Sequence, residues 1–160
     1  MEDQTRQLIC VVDDERTNAL MLSMMLEPDF NVCVAHTGMD AIDMVRARKP
    51  DLILLDIILP DLNGYEVCAR LKEDPVTSDI PVIFVTGLED SENEKMGLEV
   101  GAADYVSKPV SAPVVKARIS RVLQINLYIE FLEQLLSVRD AKIDSLKDKA
   151  REVLDQQFVS

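Results

Sequence analysis

Five polar side chains follow, or end, strongly apolar segments of this sequence. They are Asp13, Asp14, Asp56, Thr86 and Lys108. Three clustered carboxylates repel one another, and they favour a hard cation that prefers oxygen ligands, such as Mg²⁺. A carboxylate in that setting, beside a hydroxyl and an ammonium group, is a nucleophile with partners for phosphoryl oxygens. These residue types therefore suit phosphoryl transfer, provided that the fold brings them together.

The elements that must position these side chains alternate between short apolar strands and amphipathic helices. Strands are predicted at 8–12, 30–35, 52–55, 81–86 and 104–107. Helices are predicted at 15–27, 38–48, 65–72, 91–100 and from Pro113 onward. Strands that are apolar throughout belong to parallel sheets covered on both faces. We therefore predict an α/β fold with a doubly wound five-stranded parallel sheet, whose strand carboxyl ends form the ligand-binding edge.

The composition argues against several classes of partner. The 160 residues carry a net charge of −12, nearly all of it in residues 1–120. Such a surface repels nucleic acids and anionic membranes. No segment is long and apolar enough to span a bilayer, and the N-terminus does not read as a signal peptide. We expect a cytoplasmic protein that binds neither nucleic acid nor membrane.

Four segments of the sequence resemble the receiver domain of two-component response regulators. They are VVDDERTN, PDLILLDIILPDLNGYEVC, IPVIFVTG and GLEVGAADYVSKPVS. The resemblance covers residues 7 to about 123 and implies a flavodoxin-like strand order, 2-1-3-4-5. It also implies a receiver domain at 1–123, followed at 124–160 by a coiled-coil extension or a linker to an output domain.

The resemblance implies a role for each residue of the acidic group. Asp56 would accept a phosphoryl group from a histidine kinase or phosphotransfer protein. Asp14, Asp56 and the backbone carbonyl of Ile58 would ligate Mg²⁺, and Asp13 would act through water. The chain would be a phosphoacceptor that catalyses its own phosphorylation, and not an enzyme that turns over a substrate.

The same resemblance assigns roles around the acidic group. Thr86 and Lys108 would bind phosphoryl oxygens after transfer, and Tyr105 would be an aromatic switch. The Lys108–Pro109 peptide would be cis. Two further positions, Ile58 and Leu88, would flank the path of a hydrolytic water. Neither side chain can orient water, so slow autodephosphorylation is expected.

Each residue also has an ordinary interpretation, and two other functions compete with the phosphoacceptor. Asp14 could simply cap a helix, and Lys108 could be a solvated surface charge. A phosphatase of the haloacid dehalogenase type needs a second Asp two residues after its nucleophile, where this chain has Ile58. A receiver-like dimerisation scaffold usually lacks one acidic or Lys position, and this chain has them all.

The C-terminal segment has no Gly or Pro for some 45 residues and fits a heptad repeat. One seam position holds Val122, Ile129, Leu136, Ile143 and Ala150. The other holds Ile125, Leu132, Arg139, Leu146 and Val153. We expect a homodimer through this seam, and the alternative is a helix folded back on its own domain. Asp104 and Arg118 match positions that pair between subunits in many receivers.

The extension has no second core, no basic recognition helix and no catalytic motif. Either the chain is a fragment of a longer regulator or it works by presenting a coiled coil. Regulators that feed a diguanylate cyclase or a cyclic-di-GMP phosphodiesterase look similar at LKEDPVTSDIPVIFVTG. An output enzyme of that kind would lie outside this chain.

Overall fold

A computed structural model describes the backbone at residues 5–87 and 91–158, with side chains at 5–87 and 95–154. Within those residues, five strands alternate with five helices. The strands are β1 Leu8–Val12, β2 Asn31–Ala35, β3 Leu52–Leu55, β4 Val82–Thr86 and β5 Asp104–Ser107. The helices are α1 Arg16–Leu26, α2 Gly38–Arg48, α3 Gly64–Glu73, α4 Ser91–Glu99 and α5 Ala112–Phe158. The predicted alternation is confirmed.

The strands form one parallel sheet in the order β2-β1-β3-β4-β5, as predicted. Val12, the last residue of β1, pairs with Ala35 at the end of β2 and with Leu55 at the end of β3. Three neighbouring strands therefore end level with one another. This register brings the residues that follow them, including Asp13 and Asp56, to the same edge of the sheet.

Buried side chains form a core on each face of the sheet. Leu22 and Leu26 of α1 pack on one face together with Val115 and Ile119 of α5. Val45 of α2, with Val67 and Leu71 of α3, packs on the other. These two layers bury the strands on both faces, which explains their continuous apolar sequences.

Gly64 lets α3 begin directly against the strand end that carries Asp56. A Cβ at this position would lie 2.4 Å from the Asp56 carbonyl oxygen and 2.7 Å from Ile57 Cα. The Gly64 N–H donates to the Ile57 carbonyl at 2.7 Å. Asn63 and Glu66 then form a reciprocal capping box at the helix start. Only glycine allows this close approach, so the loop after Asp56 is held at its C-terminal end.

Contacts divide the chain into two units, with the boundary after Leu123. Val122 is only 5% exposed and belongs to the α1-side core of the first unit. The prediction that Val122 starts the dimer seam is therefore wrong. A heptad position and a core-facing position have the same apolar signature, and burial against the sheet decides between them.

The second unit is helical, as predicted. The seam residues Ile129, Leu132, Leu136, Ile143 and Leu146 are between 41% and 57% exposed. Arg139, the polar residue in the seam, pairs with Asp140 at 3.2 Å. Among the helices of the described ranges, none combines the length and apolarity needed to cross a bilayer.

Candidate functional site

Asp13, Asp14 and Asp56 meet at the carboxyl edge of the sheet. One carboxylate oxygen from each lies within 4.8 Å of the others. Asp13 is 2% exposed, Asp56 is 7% exposed, and Asp14 is open to solvent. The backbone N–H of Asp13 donates to Ala35, and that of Asp56 donates to Val12. The sheet ladder thus extends into the site and holds two of the carboxylates on rigid backbone.

Lys108 reaches into this acidic cluster from the end of β5. Its Nζ donates to Asp13 Oδ2 and to Asp56 Oδ2, both at 2.8 Å. Burial disfavours the charged ammonium, but the hydrogen bonds and charges of the two carboxylates outweigh burial and raise the pKa of Lys108. The peptide bond from Lys108 to Pro109 is cis. An ammonium donor whose charged form the two carboxylates favour therefore stands beside Asp56.

Thr86 ends β4, the neighbour of β3, and Tyr105 lies in β5, the next strand of the sheet. Thr86 is fully buried, and its carbonyl oxygen accepts the Lys108 N–H at 2.9 Å. Tyr105 is half-buried and packs against the α2-side core. The predicted residue Leu88 lies outside the described residues. The Thr86 carbonyl and the Lys108 N–H are thus joined by a backbone hydrogen bond, whereas Tyr105 pairs with Phe84 and lies two residues before the end of β5.

The loop after β3 carries the remaining predicted ligand, Ile58. Its side chain is 60% exposed, and its N–H donates to Asp56 Oδ1 at 3.3 Å. The candidate metal ligands of the cluster are all oxygen atoms, which Mg²⁺ prefers. Three carboxylates against one ammonium group leave two formal negative charges for a cation to offset. The residues therefore fit a divalent metal.

Two polar residues that sequence reasoning did not select tie the neighbouring loops together. The Nδ1 of His36 is 2.9 Å from the Asp13 carbonyl oxygen. The Asp61 carboxylate accepts the N–H groups of Gly38 and Met39 at 2.7 and 2.9 Å. These backbone bonds lower the pKa of Asp61. One feature of the sequence could have drawn attention to Asp61: it is the one polar side chain in residues 57–62.

Asp104 and Arg118, the predicted intersubunit pair, bind each other within one chain. Arg118 Nη1 contacts the two carboxylate oxygens of Asp104 at 3.2 and 3.1 Å, and Arg121 Nη2 adds a bond at 3.0 Å. The Asp104 side chain is only 12% exposed. These contacts fasten β5 to the start of α5, and the pairing of Asp104 with a second subunit stays a prediction.

Comparison with known proteins identifies the family of this site. The family model "Response regulator receiver domain" matches residues 9–120. A Vibrio cholerae protein named "Probable cyclic di-GMP phosphodiesterase" is 37% identical over 92% of this chain and 35% of its own length. "Response regulator PleD" of Caulobacter vibrioides is 37% identical over 79% of the chain and 28% of its own length.

A further relative and two solved structures agree with that match. "DNA-binding response regulator MtrA" of Mycobacterium tuberculosis is 38% identical over 89% of the chain and 60% of its own length. A CheY-like receiver from Methanospirillum hungatei has a TM-score of 0.72 at 27% identity, covering 77% of this chain and 98% of its own. The BeF3-activated DrrB receiver has a TM-score of 0.64 at 36% identity, covering 74% and 98%. The chain spans less than two thirds of the length of these curated relatives.

Proposed function

We propose that Asp56 is the residue of this chain that becomes phosphorylated, because the chain belongs to the response regulator receiver domain family. Receiver domains take phosphoryl groups from histidine kinases or phosphotransfer proteins, and a partner of this kind is proposed here. One observation carries the assignment to Asp56. Its carboxylate ends the central strand β3 and shares the Lys108 ammonium with Asp13, at 2.8 Å from each.

The transfer is a nucleophilic displacement at phosphorus. An Asp56 carboxylate oxygen forms a bond to the phosphorus, and the bond from phosphorus to the donor's histidine nitrogen breaks. The electron pair stays on the imidazole nitrogen, which takes up a proton. Lys108 and the Thr86 hydroxyl are proposed to bind phosphoryl oxygens in the product. A positive group already beside Asp56 stabilises charge on the transferring group without having to reorganise.

Mg²⁺ is the proposed cofactor, held by Asp14, Asp56 and the Ile58 carbonyl, with Asp13 acting through water. The bound ion would offset the charge of the carboxylates and of the incoming phosphoryl group. Asp13 and Asp56 are preorganised by the sheet ladder, and Asp13 Oδ1 also accepts the Glu15 N–H at 2.9 Å. The exposed Asp14 is the ligand whose removal disturbs the fold least.

Replacing Asp14 with Ala should abolish the stimulation of phosphorylation by Mg²⁺. The change removes one of three clustered carboxylates and leaves the core intact. Phosphorylation by phosphoramidate, followed by intact mass with and without Mg²⁺, measures the effect. Asp40→Ala removes an exposed carboxylate from α2 and should keep the full Mg²⁺ stimulation. An Asp14→Ala protein with wild-type stimulation would remove Asp14 from the site.

The competing functions have less support. A phosphatase needs an acid two residues after the nucleophile, and the apolar Ile58 stands there. A phosphorylation-independent scaffold usually lacks one acidic or Lys position, whereas here Lys108 contacts both Asp13 and Asp56 at 2.8 Å. We also propose a cytoplasmic location, which is typical of response regulators.

The C-terminal helix is proposed to transmit the phosphorylation state through a homodimer. Its apolar seam is exposed in the single chain, and pairing would remove that seam from water.

Cyclic-di-GMP turnover is the proposed output pathway, because the Vibrio cholerae relative aligns with 92% of this chain and so beyond the receiver.

A further inference from the structure

The loop at residues 57–62, between the phosphoacceptor and α3, has a single polar side chain. Its residues are Ile57, Ile58, Leu59, Pro60, Asp61 and Leu62. The loop carries the Ile58 carbonyl, which is proposed above to complete the cation site. A carbonyl ligand is useful only if its backbone stays in place. A side chain that holds this loop against another element would therefore also help to hold the Ile58 carbonyl in place.

Asp61 makes that connection to the first turn of α2. Its Oδ1 accepts the Gly38 N–H at 2.7 Å, and its Oδ2 accepts the Met39 N–H at 2.9 Å. The next N–H, of Asp40, is bound by the Thr37 hydroxyl at 3.1 Å. The first N–H groups of a helix lack internal partners and attract negative charge. Asp61 therefore binds α2 with both carboxylate oxygens, from a different part of the chain.

The packing around this contact leaves the loop little freedom to shift. A Cβ at Gly38 would lie 2.9 Å from Leu62 Cβ and 3.2 Å from Asp61 Oδ1. Glycine at position 38 thus permits the start of α2 to lie directly against the loop. Immediately upstream of α2, His36 contacts the Asp13 carbonyl oxygen at 2.9 Å. The loops that follow β1, β2 and β3 are linked side by side at the site.

We infer that Asp61 is a positioning residue for the cation site. By bridging the loop to α2, its carboxylate holds the Ile58 carbonyl at the edge of the Asp13–Asp14–Asp56 cluster. This role rests on the proposed magnesium-dependent phosphorylation of Asp56. It differs from simple helix capping because it predicts an effect on metal affinity in addition to stability.

Calorimetric titration with Mg²⁺ alone, without a phosphodonor, tests the inference. Asp61→Ala should weaken Mg²⁺ binding roughly tenfold, the scale expected when a group supporting a metal ligand is lost. Asp61→Asn keeps one acceptor oxygen and should weaken it less. The matched control is Asp51→Ala. The Asp51 carboxylate also accepts a backbone N–H from another element, that of Leu8 at 2.8 Å, but it precedes β3 at the opposite edge.

Thermal unfolding of the same variants separates the possible outcomes. The inference predicts that Asp61→Ala and Asp51→Ala both lower Tm, whereas only the Asp61 variants lose Mg²⁺ affinity. Lowered Tm with unchanged Mg²⁺ affinity in both Asp61 variants would overturn it and leave Asp61 as a helix cap. A wild-type protein that binds no Mg²⁺ in the titration would instead overturn the proposed metal site itself.

Discussion

Phosphorylated Asp56 should persist well beyond the seconds scale, and Ile58→Asn should shorten its lifetime roughly tenfold to a hundredfold. Hydrolysis of an acyl phosphate requires a water aligned behind the phosphorus. The Ile58 side chain lies two residues after Asp56, is 60% exposed and cannot orient that water. An amide at this position could hydrogen-bond the water and hold it in line. The Ile58→Asn, Leu88→Glu double variant should decay faster still.

Loss of the adduct in Mg²⁺, measured by intact mass after removal of the phosphodonor, gives the lifetime. Val76→Asn is a suitable control, because it places the same amide at another exposed aliphatic position, 49% exposed and remote from Asp56. This control should decay at the wild-type rate. A wild-type half-life of seconds, or a double variant as slow as wild type, would show that these side chains do not set the lifetime.

Replacing both Leu132 and Leu136 with Asp should convert the proposed dimer into a monomer. The two side chains are 57% and 50% exposed in the single chain and occupy adjacent seam positions. Full burial of a Leu side chain contributes about 1.5–3 kcal/mol, and a half-exposed side chain gains about half of that on pairing. The substitution removes this contribution on both helices and adds like charges to the interface. Light scattering at high micromolar concentration measures the mass directly.

A matched control places the same two charges on the opposite side of the helix. Gln134→Asp with Ser137→Asp lies outside the heptad seam and should leave the dimer intact. Truncation after Leu123 should weaken any dimer. The sequence does not decide between parallel and antiparallel pairing of the two helices. A parallel pair would bring Lys142 near Lys147 of the partner subunit, a contact between like charges. A wild-type chain that stays monomeric would refute the coiled coil.

Local sequence signals were sufficient to predict the elements of the fold. The apolar runs of β1 and β3 end at Asp13 and Asp56, and Pro50 follows α2, so these strand and helix ends were predicted closely. The register of a parallel sheet then brings the strand ends together, which is why the cluster could be anticipated from residue order alone. Gly101, with φ of 97°, follows α4 in the left-handed conformation that glycine commonly adopts after a helix end.

Features that depend on tertiary contacts were not predictable from the sequence. Lys49 adopts a left-handed φ of 46°. A lysine gives no sequence signal for this conformation, whereas a glycine or asparagine would. Asp61 caps a helix that begins 23 residues earlier in the chain, so no local capping motif reveals it. Val122 was assigned to the seam because apolar spacing is the same for a helix facing a sheet and for one facing a second helix.

The identity of the phosphorylated residue is the central claim, and the intact mass of Asp56→Asn tests it most directly. Wild type and variant are incubated with phosphoramidate and Mg²⁺ under identical conditions, after thermal unfolding has shown that both are folded. Asn keeps the shape of the Asp side chain but removes the nucleophilic carboxylate. The account predicts one phosphoryl group on the wild type and none on Asp56→Asn. A phosphoryl adduct on Asp56→Asn would contradict it.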